Sequence, residues 1–431
     1  MRVKMTIAVA ALAALLLGLP ASSYAHRTVE VKAGESIQAA IDKAKPYTTI
    51  EIAAGTYKES LLIKTDGIEL QGAGRKATKI VPPDNPTPGQ GCVDPDSGIP
   101  NGICVFDVNE NFEPNHTVKD VEISHLQVTG FGGIGIFFVF TKNGEVTRTI
   151  TSNNDEYGIF FNNSTGGQIT RNVTGQDDAA KAPEAGIYVG DSPNANATVW
   201  KNVSYGNVFG LFIRDAAHGK VLNNKTFSNC VGIVFLNTDE ADVPPGQTPG
   251  PSVDVKDWLA QGNNVTANNK ECAGGGEEPP FSGIGIGVVS AIDVRLIDNG
   301  VFGNKAAGPP AGPFPSAGIL IVSDAFQATT GAKVGFNTAF GNATDLFWDE
   351  AQGSSAKFFA NDCLTSQPDG LCEDPDATGD NGDNGNGDHG DDGGHSGSNG
   401  DHADHKKNDK KKHKHHRKHK KHKKHKKNHD D

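Results

Sequence analysis

The chain has 431 residues and a formal net charge of -12, with 53 glycines, 23 prolines and six cysteines. The charge is split: 14 lysines and arginines fall between Lys406 and Lys427, so the body is acidic, which argues against nucleic acid as its partner. After the first 25 residues no apolar run approaches the roughly 20 residues that a membrane helix needs, so no transmembrane segment is expected in the mature chain, and a monomer is expected.

The first 25 residues read as a removable export signal. Arg2 and Lys4 give the positive start, residues 7–19 form a short apolar run, and Ser23-Tyr24-Ala25 supplies small residues for cleavage after Ala25. A secreted, extracellular protein is expected, or a periplasmic one if the cell has an outer membrane. The expected organisation is a signal at 1–25, a repeat domain at 26–372 and a disordered tail at 373–431.

The domain opens with a capping element. Ile37, Ala40, Ile41 and Ala44 share one helical face, Ser36 stands at the N-cap, and Pro46 lies beyond the end. Such a helix would cover the open end of a stack of strands. Short strands are expected at 49–52, 61–63 and 68–70.

Six cysteines in an exported chain predict three disulfides. Cys92 and Cys104 bracket one Pro/Gly loop, and Cys363 and Cys372 bracket another. Cys230 and Cys272 remain, each in a turn ahead of a Gly-Ile strand. Their coils adjoin if 241–251 is an insertion. No cysteine shows a zinc-ligand spacing.

From about 116 to 359 a phrase Asn-x-x-Gly-[Ile/Leu]-x-apolar recurs. Asn207 to Ile213 is followed 22 residues later by Asn229 to Phe235. Looser copies open at Gly133, Gly158, Gly186, Gly283 and Gly318, with a degenerate one at Asp345. A period near 22 with strand-type alternation predicts stacked coils. Alternation places Leu211, Ile213, Ile159, Phe161, Ile187, Val189, Ile233, Phe235, Ile319 and Ile321 inside, and Phe212 outside. Asn207, Asn229 and Asn342 should stack in the turns, and the glycine is read as supplying backbone freedom at the corner.

These motifs resemble the right-handed parallel β-helix superfamily, the pectin-lyase-like fold. Gly34 to Ile41, Ala54 to Glu59 and Gly67 to Gly74 are similar to the opening of many such proteins, and the similarity covers roughly residues 28–365. The chain is also similar to the β-helix maturation factors of copper-containing nitrous oxide reductase. The resemblance implies an all-β solenoid of roughly ten coils. It implies no single reaction, because the fold hosts lyases, hydrolases, esterases, epimerases and non-catalytic proteins. Asn237-Thr238-Asp239 resembles the first acidic motif of polygalacturonases, but their downstream Asp pair and Gly-His-Gly are missing. The phrases of pectin methylesterases, alginate epimerases and pectate lyases are likewise incomplete.

Insertions at 178–185, 271–282 and 305–317 interrupt one turn and would wall a groove over the outward face of the Gly-Ile strands. There Phe160, Tyr188 and Phe212 are candidates to stack on sugar rings, and Asp191 and Asp324 to bind hydroxyls or Ca2+. Arg214, Asp215 and His218 are candidates for acid–base chemistry on a uronic acid. The competing reading packs the aromatics under the insertions and leaves the acids as strand ends. In the tail, His413, His415, His416, His419, His422 and His425 are candidate ligands for Zn2+, Cu2+ or Ni2+. Its lysines also suit anionic cell-surface polymers. Three functions follow: binding or modifying an extracellular, uronic-acid-type polysaccharide; a non-catalytic surface or matrix role with the tail as electrostatic anchor; and metal handling for a metalloenzyme.

Overall fold

A computed structural model describes residues 27–238, 253–272, 282–306, 308 and 314–373. Within them the chain winds through three parallel sheets, one strand of each per coil. Sheet A runs from Arg27–Val31 to Ala356–Phe359, sheet B from Gly55–Lys58 to Asp362–Cys363, and sheet C from Leu61–Ile63 to Ser366–Gln367. Sheet B has eleven strands, so the coils number eleven where about ten were expected. One coil shows the path: Ala197–Trp200 in sheet A, Val203–Tyr205 in sheet B, then Phe209–Leu222, which serves sheet C and bends into sheet A of the next coil.

Alternation set the inside as read from the sequence. Ile159, Ile187, Leu211, Ile233, Ile286, Ile319 and Leu346 pair coil to coil in one column of the main core. Beside it the rings of Phe138 and Phe161 stack at 4.4 Å. Each such buried side chain contributes roughly 1.5–3 kcal/mol before chain entropy is set against it.

Two asparagine ladders satisfy the buried turns. Asn207, Asn229, Asn268, Asn304 and Asn342 form one: each Oδ1 accepts from the backbone N–H and the Nδ2 of the asparagine one coil earlier, and Asp345 takes the last place. A second runs through Asn172, Asn202, Asn224, Asn263, Asn299, Asn337 and Asn361 at the corner between sheets A and B. Buried amides are tolerated here because every rung supplies the partners of the next.

The repeat glycines have a different cause from the one expected. Gly210 and its equivalents do not adopt left-handed backbone. A Cβ on Gly210 would lie 2.4 Å from the carbonyl oxygen of Gly232, and one on Gly232 would lie 2.6 Å from that of Gly285. Close approach between coils, not conformational freedom, requires glycine. The register also moves two copies of the phrase by two residues. Ile136 pairs with Ile159 and Ile286 with Ile233, so the rungs open at Gly135 and Gly285, not Gly133 and Gly283. Both segments read Gly-Ile-Gly-Ile, which made the slip invisible.

The helix Ile37–Lys43 closes the first coil with Ser36 as its N-cap and Ile37 and Ile41 buried. Glu59 completes the cap, accepting from the Ser36 hydroxyl and from the N–H groups of Ile37 and Gln38. The expected strands form at Thr48–Ile52, Leu61–Ile63 and Glu69–Gly72. The disulfides pair Cys92 with Cys104, Cys230 with Cys272 and Cys363 with Cys372. Among the described residues no helix is long and apolar enough to cross a membrane.

Candidate functional site

The outward face of sheet C is not the open groove that the sequence suggested. Tyr188 and Phe212 point away from the main core as expected, yet they are only 1% and 2% exposed. They belong to a second apolar cluster with Ala185, Phe209, Val231, Val234, Ile284 and Leu320. The reason is composition: nearly every coil places apolar residues at both neighbouring outward positions, so this face buries itself.

Of the candidate catalytic residues, Arg214 and Asp215 meet each other, while His218 has a different partner. Asp215 is fully buried at a corner with φ 48°. It is paired with Arg214 at 3.3 Å and accepts from the backbone N–H and hydroxyl of Thr238 at 2.8 and 2.5 Å. A buried carboxylate needs such partners, and this set closes a corner between sheets C and A. His218 lies beyond the corner and pairs with Asp257 at 3.2 Å. Asp191 is 5% exposed, occupies the same corner one coil earlier at φ 45°, and accepts from Asn162 at 2.6 Å. Asp324 is exposed, and its backbone N–H donates to the Ser290 hydroxyl. Among the described residues no group of three or more His, Cys, Asp or Glu side chains is placed to hold a metal ion. The histidines His413 to His425 lie outside the described residues.

Among the described residues, half-buried rings gather on the N-terminal half of this face. Phe106, Phe112, Phe137, Phe140 and Phe160 are all half-buried. Their rings form a continuous set: Phe106 meets Phe112 at 5.8 Å and Phe137 at 5.7 Å, Phe112 meets Phe140 at 6.1 Å, and Phe137 meets Phe160 at 5.1 Å. Phe160 in turn stacks on Tyr188 at 4.4 Å. Of these rings, the sequence singled out Phe160, Tyr188 and Phe212 only.

Polar groups line both edges of the patch. On one side a short hairpin, Asp107–Val108 against Pro114–His116, brings Asp107 within 2.8 Å of His116 and 3.7 Å of Lys64, while His116 also lies 3.7 Å from Asp66. Burial alone would raise the Asp107 carboxyl, but hydrogen bonds from Asn115 and His116 and the charge of Lys64 outweigh it and hold it below the usual range. On the other side Tyr157 donates to Glu184. Burial, the charge of Glu184 and that hydrogen bond raise the Tyr157 phenol well above its ordinary value, so it stays protonated and acts as a donor.

A sequence model of the family described as "Periplasmic copper-binding protein (NosD)" matches residues 65–243, less than half of the chain. Comparison with curated proteins gives no match. Among solved structures, the Azotobacter vinelandii mannuronan C-5 epimerase AlgE4 A-module superposes with a TM-score of 0.54 at 18% identity, over 77% of this chain and 91% of that one. The periplasmic alginate epimerase AlgG gives 0.49 at 15% identity over 79% and 73%. PfbA, a surface adhesin of Streptococcus pneumoniae, gives 0.48 at 14% identity over 77% and 88%. At these identities the likeness is one of fold, and it agrees with the coil path, the ladders and the capping helix: the chain is a right-handed parallel β-helix protein.

Proposed function

We propose that this is an exported β-helix protein that binds a polysaccharide over the N-terminal half of sheet C, as a binder rather than a catalyst. The observation that carries the reading is the contiguous patch of five half-buried rings, Phe106, Phe112, Phe137, Phe140 and Phe160, flanked by hydrogen-bonding groups on both edges. Sugar rings offer C–H faces to aromatic rings and hydroxyls to carboxylates and imidazoles, and this patch presents both kinds of partner side by side. The groups considered for catalysis serve other ends: Arg214 and Asp215 are engaged with each other, and His218 with Asp257. Three disulfides fit an oxidising compartment outside the cytoplasm. The solved relative with the highest TM-score given above is named for mannuronan, a polysaccharide, but the reading rests on the patch.

The test is affinity electrophoresis of the full chain through gels holding single polysaccharides, uronic-acid polymers among them. Retardation by at least one of them is expected, with Phe137→Ala/Phe160→Ala weakening it tenfold or more while leaving the thermal transition in place. Binding to none, or an unchanged double variant, removes the reading. Release of unsaturated uronate ends or a change of epimer ratio would make the protein a catalyst instead.

The family match over residues 65–243 favours a second reading, copper handling. Calorimetric titration of the full chain with Cu2+ tests it, and affinity no tighter than millimolar removes it.

A further inference from the structure

The corner between sheets A and B carries an unusual choice of residues. His125, Arg148, Arg171 and Lys201 occupy it in four successive coils, with φ of 56°, 51°, 58° and 55°. Each backbone N–H donates to the coil below: His125 to Thr147, Arg148 to Thr170, Arg171 to Trp200, and Lys201 to Leu222. The stacking is therefore strict. Left-handed backbone favours Gly, Asn and Asp, and the same corner in the next three coils is Asn223, Gly262 and Asp298, at φ 53°, 66° and 56°, followed by the uncharged Phe336 and Ala360 at 56° and 50°. Arg148, Arg171 and Lys201 are exposed, and neither backbone preference nor burial in the core accounts for three long cations there.

Past Lys201 the positive charge crosses the sheet. The first outward position of sheet A reads, coil by coil, Glu69, Glu122, Glu145, Gln168, Thr198, Lys220, Leu259, Arg295, Lys333 and Lys357. It is acidic beside His125 and Arg148, uncharged beside Arg171 and Lys201, and, Leu259 apart, basic from Lys220 onward, where the corner is no longer basic. The two half-columns join into one diagonal stripe, with only Leu259 interrupting it. At strand spacing of about 4.8 Å per coil the stripe is roughly 40 Å long. Lys220, Arg295, Lys333 and Lys357 are exposed, and among the described residues none of the seven lysines and arginines of the stripe forms an ion pair. Trp200 lies under two of them, 4.2 Å from Arg171 and 4.5 Å from Lys201, which holds their charged ends against the surface.

We propose that this stripe is a second docking surface, on a different face from the aromatic patch, for a linear anionic polysaccharide with one carboxylate per sugar ring, lying along the helix axis. One cation per coil matches a ligand whose charge is evenly spaced. The stacked Glu122 and Glu145 repel that ligand from the upstream half of sheet A and steer it to the corner. Neither backbone nor core constrains these seven cations, so complementarity to a polymer is what their alignment provides.

The experiment is a lysine footprint on the full chain, read peptide by peptide so that the body is separated from the tail. The protein is acetylated with and without polygalacturonate, and with and without a neutral glucan. Protection of Lys201, Lys220, Lys333 and Lys357 by severalfold is expected with polygalacturonate only, while Lys43 and Lys45, exposed at the capping helix, react unchanged. The protection should weaken steeply with salt. It should persist in Phe137→Ala/Phe160→Ala and vanish in Arg148→Gln/Arg171→Gln/Lys201→Gln, which separates this surface from the aromatic patch. No protection, protection spread equally over Lys43 and Lys45, or equal protection by double-stranded DNA would overturn the assignment.

Discussion

Asn224 holds Asn202 from one coil further on: its Oδ1 accepts from the backbone N–H of Asn202 at 2.9 Å and from the Nδ2 of Asn202 at 3.0 Å. Its own Nδ2 donates to Val199 and to Asn263, at 2.9 and 3.0 Å. Asn224→Ala therefore strands the buried N–H of Asn202, leaves the Asn202 Nδ2 with its bond to Ile169 alone, and removes a donor from both Val199 and Asn263. Leaving buried groups unsatisfied costs roughly 1–3 kcal/mol each, so a loss of about 3 kcal/mol is expected in urea unfolding. Asn223→Ala, at the exposed neighbouring position with φ 53°, should cost only about 1 kcal/mol, since the ladder survives. Equal costs would show that the ladder adds nothing beyond turn preference.

Gly210→Ala tests why glycine recurs. The added Cβ would sit 2.4 Å from the Gly232 carbonyl oxygen and 2.8 Å from Asn229 Nδ2, so two coils must separate. Overpacking of this kind costs about 3 kcal/mol. Gly303→Ala is the contrast: it has φ 65° and nothing within 4 Å of a Cβ. There the left-handed backbone alone sets a cost of about 1 kcal/mol. If Gly303→Ala proved the more damaging in urea titrations, conformational freedom would again be the reason for the repeat glycine.

The sequence carried the architecture because a solenoid repeats its instructions. Alternation told inside from outside at Leu211, Phe212 and Ile213, and Ser36 marked the start of the cap. What alternation cannot carry is whether an outward side chain meets water. Tyr188 and Phe212 were placed on the correct side but are buried, because their neighbours on that face are also apolar. The aromatic patch was hidden by the doubled Gly-Ile. Opening the rung at Gly133 puts Gly135 where Phe160 stands one coil later, and the register puts Phe137 there. Asp107 and His116 lie in a hairpin outside the repeat, where no periodic signal reaches. The basic stripe is spread over more than 230 residues and becomes a line only when the register is known.

Glu145 gives a pH prediction. Burial raises its carboxyl first, the stacked Glu122 adds to this, and Arg148 opposes it, leaving the folded-state value above the ordinary one. The native state then binds the proton more tightly than the unfolded chain. The resulting stability is fully present below the unfolded value, about 4.3, and is lost as pH rises through the folded one. At pH 7 the charged Glu145 is a net burden that Glu145→Gln removes. A higher Tm for the variant is expected at pH 7, with the difference fading below about pH 4, where both side chains are neutral. Direct opposition of like charges on adjacent strands predicts that Glu122→Gln also raises the Tm at pH 7, and that the double variant gains less than the sum. Scanning calorimetry from pH 3.5 to 7.5 checks all three; a variant less stable than the parent at pH 7 would mean that Arg148, not Glu122, dominates the environment of Glu145.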